Sequence, residues 1–195
     1  LEGSKYSDNT IVVLWSDHGQ HMGEKKHWRK QSLWEESTQV PLVFSVPGQK
    51  KRGQVSNRVV SLLDIYPTLV DLCGLPEADK LEGQSLVPLL RNPKKKWDKP
   101  VLSTWYYGNH AVRSEHWRYI RYRDGGEELY DHRNDSGEFT NLAQNPEYAR
   151  IIAEHRKSLP KTEVLPAGTS EWKPDKLDRR IEKWLADDSI PEWLK

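Results

Sequence analysis

The chain has 195 residues, of which 30 are basic and 29 acidic, giving a formal net charge of +1. A hydrophobic fraction of 35% and a mean hydropathy of −0.86 predict a thin core under much solvated surface, enough for one core with an appended lobe. Balanced charge argues against nucleic acid as a partner, a single cysteine excludes an internal disulfide framework, and no run approaches the roughly 18 apolar residues of a membrane span, so no membrane partner is expected either.

In chain order, Leu1 to Asn9 is polar, and Asp8-Asn9 signals a turn. With Leu rather than Met at position 1 and no leader visible, the expectation is a fragment whose targeting segment lay upstream. Ile11 to Trp15 is an apolar, β-branched run suited to a strand buried on both faces. It stops at Ser16-Asp17-His18-Gly19. Ligands of open α/β sheets bind beyond the carboxyl ends of strands, which puts Asp17 and His18 where a metal or an anion would sit. The competing reading is a polar turn in which Gly19 lets the backbone bend tightly.

Gly19 to Lys30 reads as a charged loop, Gln31 to Thr38 as a short helix with Leu33 and Trp34 inward, and Pro41 to Val46 as a second strand. Ser61 to Gly74 is a helix capped by Ser61 or Asp64, with Pro67 in its first turn and Gly74 just past its end. Leu69, Val70, Leu72 and Cys73 are its expected core face, which makes Cys73 a small buried hydrophobe. A short helix at Leu86 to Arg91 and an exposed linker at Pro93 to Pro100 follow.

From Val101 the texture changes. Val101 to Tyr107, Ala111 to Arg113, Trp117 to Arg123 and Glu127 to Asp131 are aromatic and β-branched, with a hairpin signal at Asp124-Gly125-Gly126. Tyr119, Arg121 and Arg123 alternate with Ile120 and Tyr122, as for a small antiparallel sheet with one wet face. Asn145 to Ser158 predicts a helix packed through Ile151 and Ile152. The tail carries one candidate helix, Lys176 to Leu185, and its Trp172, Trp184 and Trp193 suggest that it wraps the domain.

The spacing of Ser16-Asp17-His18-Gly19, Gly23-Glu24, Trp28-Arg29-Lys30 and the Val40-Pro41-Leu42 strand resembles the sulfatase family of the alkaline-phosphatase superfamily, above all its iduronate-2-sulfatase-like and bacterial polysaccharide sulfatase members. Leu63-Asp64-Ile65-Tyr66-Pro67, Gly83 to Leu90, and Glu128-Leu129-Tyr130-Asp131 with Asn141-Leu142 extend the resemblance to about residue 143. It implies an α/β fold: the C-terminal part of an alkaline-phosphatase-like sandwich over 1–97, a small antiparallel sheet with a packing helix over 98–160, and a wrapping tail over 161–195. It implies hydrolysis of sulfate esters on a sulfated carbohydrate, and a periplasmic or secreted setting.

The family's Cys-x-Pro-x-Arg segment, whose cysteine becomes the formylglycine nucleophile, has no counterpart here, because Cys73 lies in Asp71-Leu72-Cys73-Gly74. The nucleophile is therefore expected upstream, in a missing N-terminal portion of the same protein, and this chain alone is expected to be inactive. The resemblance makes Asp17 and His18 ligands of Ca2+, although a hard cation prefers more oxygen ligands than these two supply. It makes Lys30 the lysine that meets the sulfate. His27 could protonate a leaving group, since an imidazole titrates near ~6.5, and His110 with Arg113 could touch an anionic sugar. Two other readings stay open: an inactive anion- or sugar-binding module with this fold, and a phosphate- or phosphonate-ester hydrolase of the same superfamily.

Overall fold

The computed structural model describes residues 1–49, 52–76 and 79–164. Leu1–Lys161 forms one compact unit and Thr162–Lys195 a second. The expected tail helix at Lys176 to Leu185 and the tail's Trp172, Trp184 and Trp193 lie outside the described residues.

The first strand, β1 (Val12–Trp15), pairs antiparallel with a later one, here β4 (Leu42–Ser45), from Val12 opposite Ser45 to Trp15 opposite Leu42. The two make a sheet by themselves. Burial on both faces is not what β1 has, since Val12, Leu14 and Trp15 are 43%, 61% and 50% exposed. No other described strand joins this sheet and nothing described covers those side chains. The expected loop between these strands is instead a small hairpin, β2 (His21–Met22) against β3 (Trp28–Arg29), around a 3-10 turn at Glu24–Lys26. The helix before β4, α1 (Glu35–Thr38), is shorter than the expected 31–38 because the Leu33 carbonyl accepts from Arg118 and the Trp34 N–H donates to the nearby Ser32 Oγ instead of joining a helical ladder.

A 3-10 turn at Leu62–Asp64 runs into α2 (Ile65–Leu72). Ser61 Oγ accepts the Leu63 N–H at 3.2 Å while Asp64 Oδ2 accepts the Ser61 N–H at 2.9 Å, a reciprocal cap. Ile65, Thr68 and Val70 are the buried residues of α2, and Cys73 is exposed, contrary to expectation. Val70 is the last buried residue of α2, and Cys73, the cap that closes the helix after Leu72, falls on the solvent side. α3 (Val87–Arg91) follows as expected.

The third region is a four-stranded antiparallel meander, β5 (Val101–Trp105), β6 (Asn109–Arg113), β7 (Trp117–Arg121) and β8 (Glu127–Asp131), in spatial order 5-6-7-8. It has no wet face at its centre. Val112, Tyr119 and Leu129 pack on Ile152 of α4 (Ala149–Arg156) and on Leu159. Their neighbours Ala111, Ile120 and Tyr130 pack on Leu33, with Trp34 beside them. Side chains alternate across a strand, so the same three strands bury one row under α4 and the other under the segment that leads into α1.

Candidate active site

At the carboxyl end of β1 the chain bends so that Ser16 Oγ donates to the His18 carbonyl at 2.8 Å. His18 Nδ1 lies 2.8 Å from the Gly19 carbonyl oxygen, which can only accept. Nδ1 therefore carries the ring proton and Nε2 presents a lone pair. The Lys30 ammonium meets that lone pair at 2.6 Å, and Asp17 Oδ2 lies 3.5 Å from the same nitrogen. Three residues singled out in the sequence are thus neighbours, two at a strand end and one at the end of a hairpin.

Gly19 is needed here for closeness rather than for bending. Its N–H donates to the Ser37 carbonyl at 2.9 Å, and a Cβ at this position would sit 1.9 Å from the Glu36 carbonyl oxygen. The peptide that fixes the His18 tautomer is pressed against α1, and only glycine fits.

α1 is in turn anchored by the C-terminal sheet. Arg118 of β7, 1% exposed, donates through Nη1 to the Leu33 carbonyl at 2.8 Å and through Nη2 to Thr38 Oγ1 at 2.9 Å. Its guanidinium also pairs with Glu138 at 2.5 Å and with Glu35. Glu138, wholly buried, accepts the Glu35 N–H at 2.9 Å and meets His132 at 2.8 Å. Burial alone would raise the Glu35 carboxyl, but the guanidiniums of Arg118 and Arg113 outweigh it and hold that carboxyl below the usual carboxylate range. Glu35, His132 and Glu138 stand close enough to share a cation, yet the two arginines already supply the counter-charge, so this cluster is a brace. Sequence reading missed it, because Arg118 meets acids at positions 35 and 138, and no local spacing links those to a strand near position 118.

The remaining expected site residues sit elsewhere. His27 lies edge-on to His21 and Trp34, at centroid distances of 4.8 Å and 5.7 Å. Burial and the neighbouring His21 ring hold its imidazole below the ordinary 6.5. His110 is 2% exposed and bonded to Thr104 Oγ1 at 2.9 Å. Arg113 pairs with Glu35 at 3.1 Å and with His132 at 3.0 Å. No hydrogen bond among the described residues joins His27 or Arg113 to Asp17, His18 or Lys30. Arg113 does share with Asp17 the wall of a groove of about 990 Å³ that also passes Val43 and Leu102.

The family described as N-sulphoglucosamine sulphohydrolase, C-terminal, matches residues 23–164. A sulfatase of Formosa agariphila is 41% identical over 162 residues, which cover 83% of this chain and 32% of that protein. A Delta 4,5-hexuronate-2-O-sulfatase of Bacteroides thetaiotaomicron is 39% identical, over 77% of this chain and 34% of its own length. Among solved structures, a 2-O GAG sulfatase superposes with a TM-score of 0.72 at 34% identity, over 96% of this chain and 39% of that one. This chain spans about a third of the length of the curated relatives it matches. With the matched region, the identities and the shared fold in agreement, the chain belongs to the sulfatase family of the alkaline-phosphatase superfamily and carries a sulfatase C-terminal region.

Proposed function

We propose that this chain forms the C-terminal part of a sulfuric ester hydrolase acting on a sulfated sugar or polysaccharide, with residues 1–97 furnishing part of the site and 98–160 the sheet that braces it. The observation that carries the reading is the meeting of Asp17, His18 and Lys30 at one nitrogen, His18 Nε2. Sulfate-ester hydrolysis needs fixed positive charge where the sulfuryl and leaving oxygens gain electron density. Lys30 supplies an ammonium for a sulfate oxygen.

Asp17 and His18 fit a divalent cation such as Ca2+ in chemistry but not in number. One offers a carboxylate, the other a neutral imidazole whose tautomer the Gly19 carbonyl fixes. A calcium ion takes six or more ligands, so further ligands belong to the missing N-terminal portion, with the formylglycine nucleophile. The cation would polarise the ester's sulfuryl oxygens. His18 Nε2 serves one partner at a time, so giving its lone pair to a metal leaves Lys30 free to donate to sulfate. The bare apolar faces of β1 and β4 support a missing neighbour, since a large exposed apolar patch marks an interaction surface.

The burial of His110 and the ion pairs of Arg113 favour a supporting role behind the groove over direct sugar contact. His27, in its aromatic cluster, is an equally poor proton donor for a leaving group.

The test is kinetic. In a longer enzyme that carries this chain, Lys30→Ala lowers kcat and kcat/KM together, on the order of 100- to 1000-fold, while Lys26→Ala changes little. Lys30→Arg rescues only in part, because a planar fork does not take the place of a compact ammonium. These 195 residues alone turn over no aryl or sugar sulfate. Equal small losses in both lysine variants would reduce Lys30 to one charge in a basic hairpin. Faster turnover of phosphonate esters than of sulfate esters would move the protein to the phosphonate hydrolases.

A further inference from the structure

The β2–β3 hairpin holds a buried residue that sequence reading passed over. His21 opens the hairpin at β2 and is wholly buried. Its ladder partner is Arg29, the residue immediately before Lys30. Its ring Nε2 bonds Ser32 Oγ at 2.8 Å, two residues after Lys30. Lys30 is therefore strung between two points that a single side chain and its own backbone fix. The span between them is tight: the Ser32 N–H donates to the Lys30 carbonyl at 2.9 Å, and Ser32 Oγ goes on to Ser37 Oγ of α1 at 2.7 Å. Arg29 has a φ of 80°, a left-handed conformation that a non-glycine residue keeps only where its surroundings impose it.

A packing role does not account for the ring nitrogens. His21 Nδ1 and His27 Nε2 are both buried without a hydrogen-bond partner. The edge-on contacts of His21 with His27 and Trp34, at 4.8 Å and 5.8 Å, would be met as well by a phenyl ring with no orphaned nitrogen. What a phenyl ring lacks is the bond to Ser32.

We propose that His21 is the positioning residue for Lys30, holding its ammonium at His18 through the Ser32 and Arg29 anchors. This rests on the reading of Lys30 as the sulfate-binding lysine.

The experiment is competitive acetylation of the amines of the 195-residue chain, read by mass spectrometry. Lys26, exposed on the same hairpin, is the internal standard. In the wild type Lys30 reacts more slowly than Lys26, because its ammonium is engaged by His18. In His21→Phe, which keeps the ring and loses the bond, Lys30 rises to the rate of Lys26. Ser32→Ala, which removes the other end of the bond, does the same and carries the test if the Phe variant does not fold. His21→Gln, which can still bond Ser32, keeps Lys30 slow. Amide exchange in β5–β8 stays at the wild-type level in all three. A Lys30 rate that stays slow in both His21→Phe and Ser32→Ala overturns the proposal, as does full release in His21→Gln. No sulfate ester enters this assay, so failure of the sulfatase reading would leave its result standing. Release of Lys30 without loss of turnover in the longer enzyme would instead remove that reading.

Discussion

The two halves of the first unit are held together by opposite means. Around β6, β7 and β8 both rows of side chains are covered, and the buried charges of Arg118, Glu35 and Glu138 answer one another. Around β1 and the β2–β3 hairpin, apolar side chains are exposed, imidazole nitrogens are orphaned, and Lys25, Lys26 and Arg29 all have positive φ. The covered half has what a stable core needs. The other half has what a site needs: charged groups near the surface, held in unfavourable conformations by neighbours. Arg118 and Glu138 join the halves, because they grip α1, against which Gly19 is pressed.

The contrast can be broken most severely at that junction. Arg118→Ala leaves Glu138 buried without its guanidinium, and removing one partner of a buried pair costs about 3–5 kcal/mol. Urea denaturation followed by tryptophan fluorescence measures it. A cost near that of a surface substitution would mean the brace is wet in solution and the two halves are not coupled through it.

Acid should separate the halves in order. His27 has a lower pKa folded than its ordinary 6.5, so the folded state binds fewer protons than the unfolded one. Its stabilisation is complete above 6.5 and drains as pH falls from there. Glu35, also lowered, keeps its contribution until pH falls below about 4.5. Amide protection across Met22–Arg29, taken relative to intrinsic exchange at each pH, therefore falls from pH 6.5 downward, while β7 and β8 hold until the carboxylate range. His27→Asn removes the first step. Simultaneous loosening of both regions would show that hairpin and sheet open as one unit.

The smallest expected effect lies on the bare face of β1. Leu14→Ser alters a side chain that is 61% exposed, and substitutions at such sites stay within about 0.5 kcal/mol. Leu129→Ala, in the covered half, costs about 2–5 kcal/mol by leaving a cavity. Thermal melts of the two variants side by side sharpen the contrast. A cost above about 1 kcal/mol for Leu14→Ser, more than surface sites show, would mean that something covers that face in solution.

How far sequence alone reached follows from the range over which each cause acts. The strands at 12–15 and 42–45, the Ser61 cap, the hairpin at Asp124-Gly125-Gly126 and the helix after Asn145 are set by neighbours in the chain, and these were legible. So was the nearness of Asp17 and His18 at a strand end, because they adjoin in the chain, whereas Lys30 reaches His18 through a hairpin where a loop was expected. Tertiary structure decided the rest. It left β1 uncovered although its composition calls for burial, turned Cys73 to solvent, and drew His110 and Arg113 into supporting contacts. It also made Gly19 indispensable through a carbonyl seventeen residues away in α1 and gave the site its brace through Arg118. Local conformation and periodicity are properties of a segment, whereas burial and charge pairing depend on which distant segment arrives.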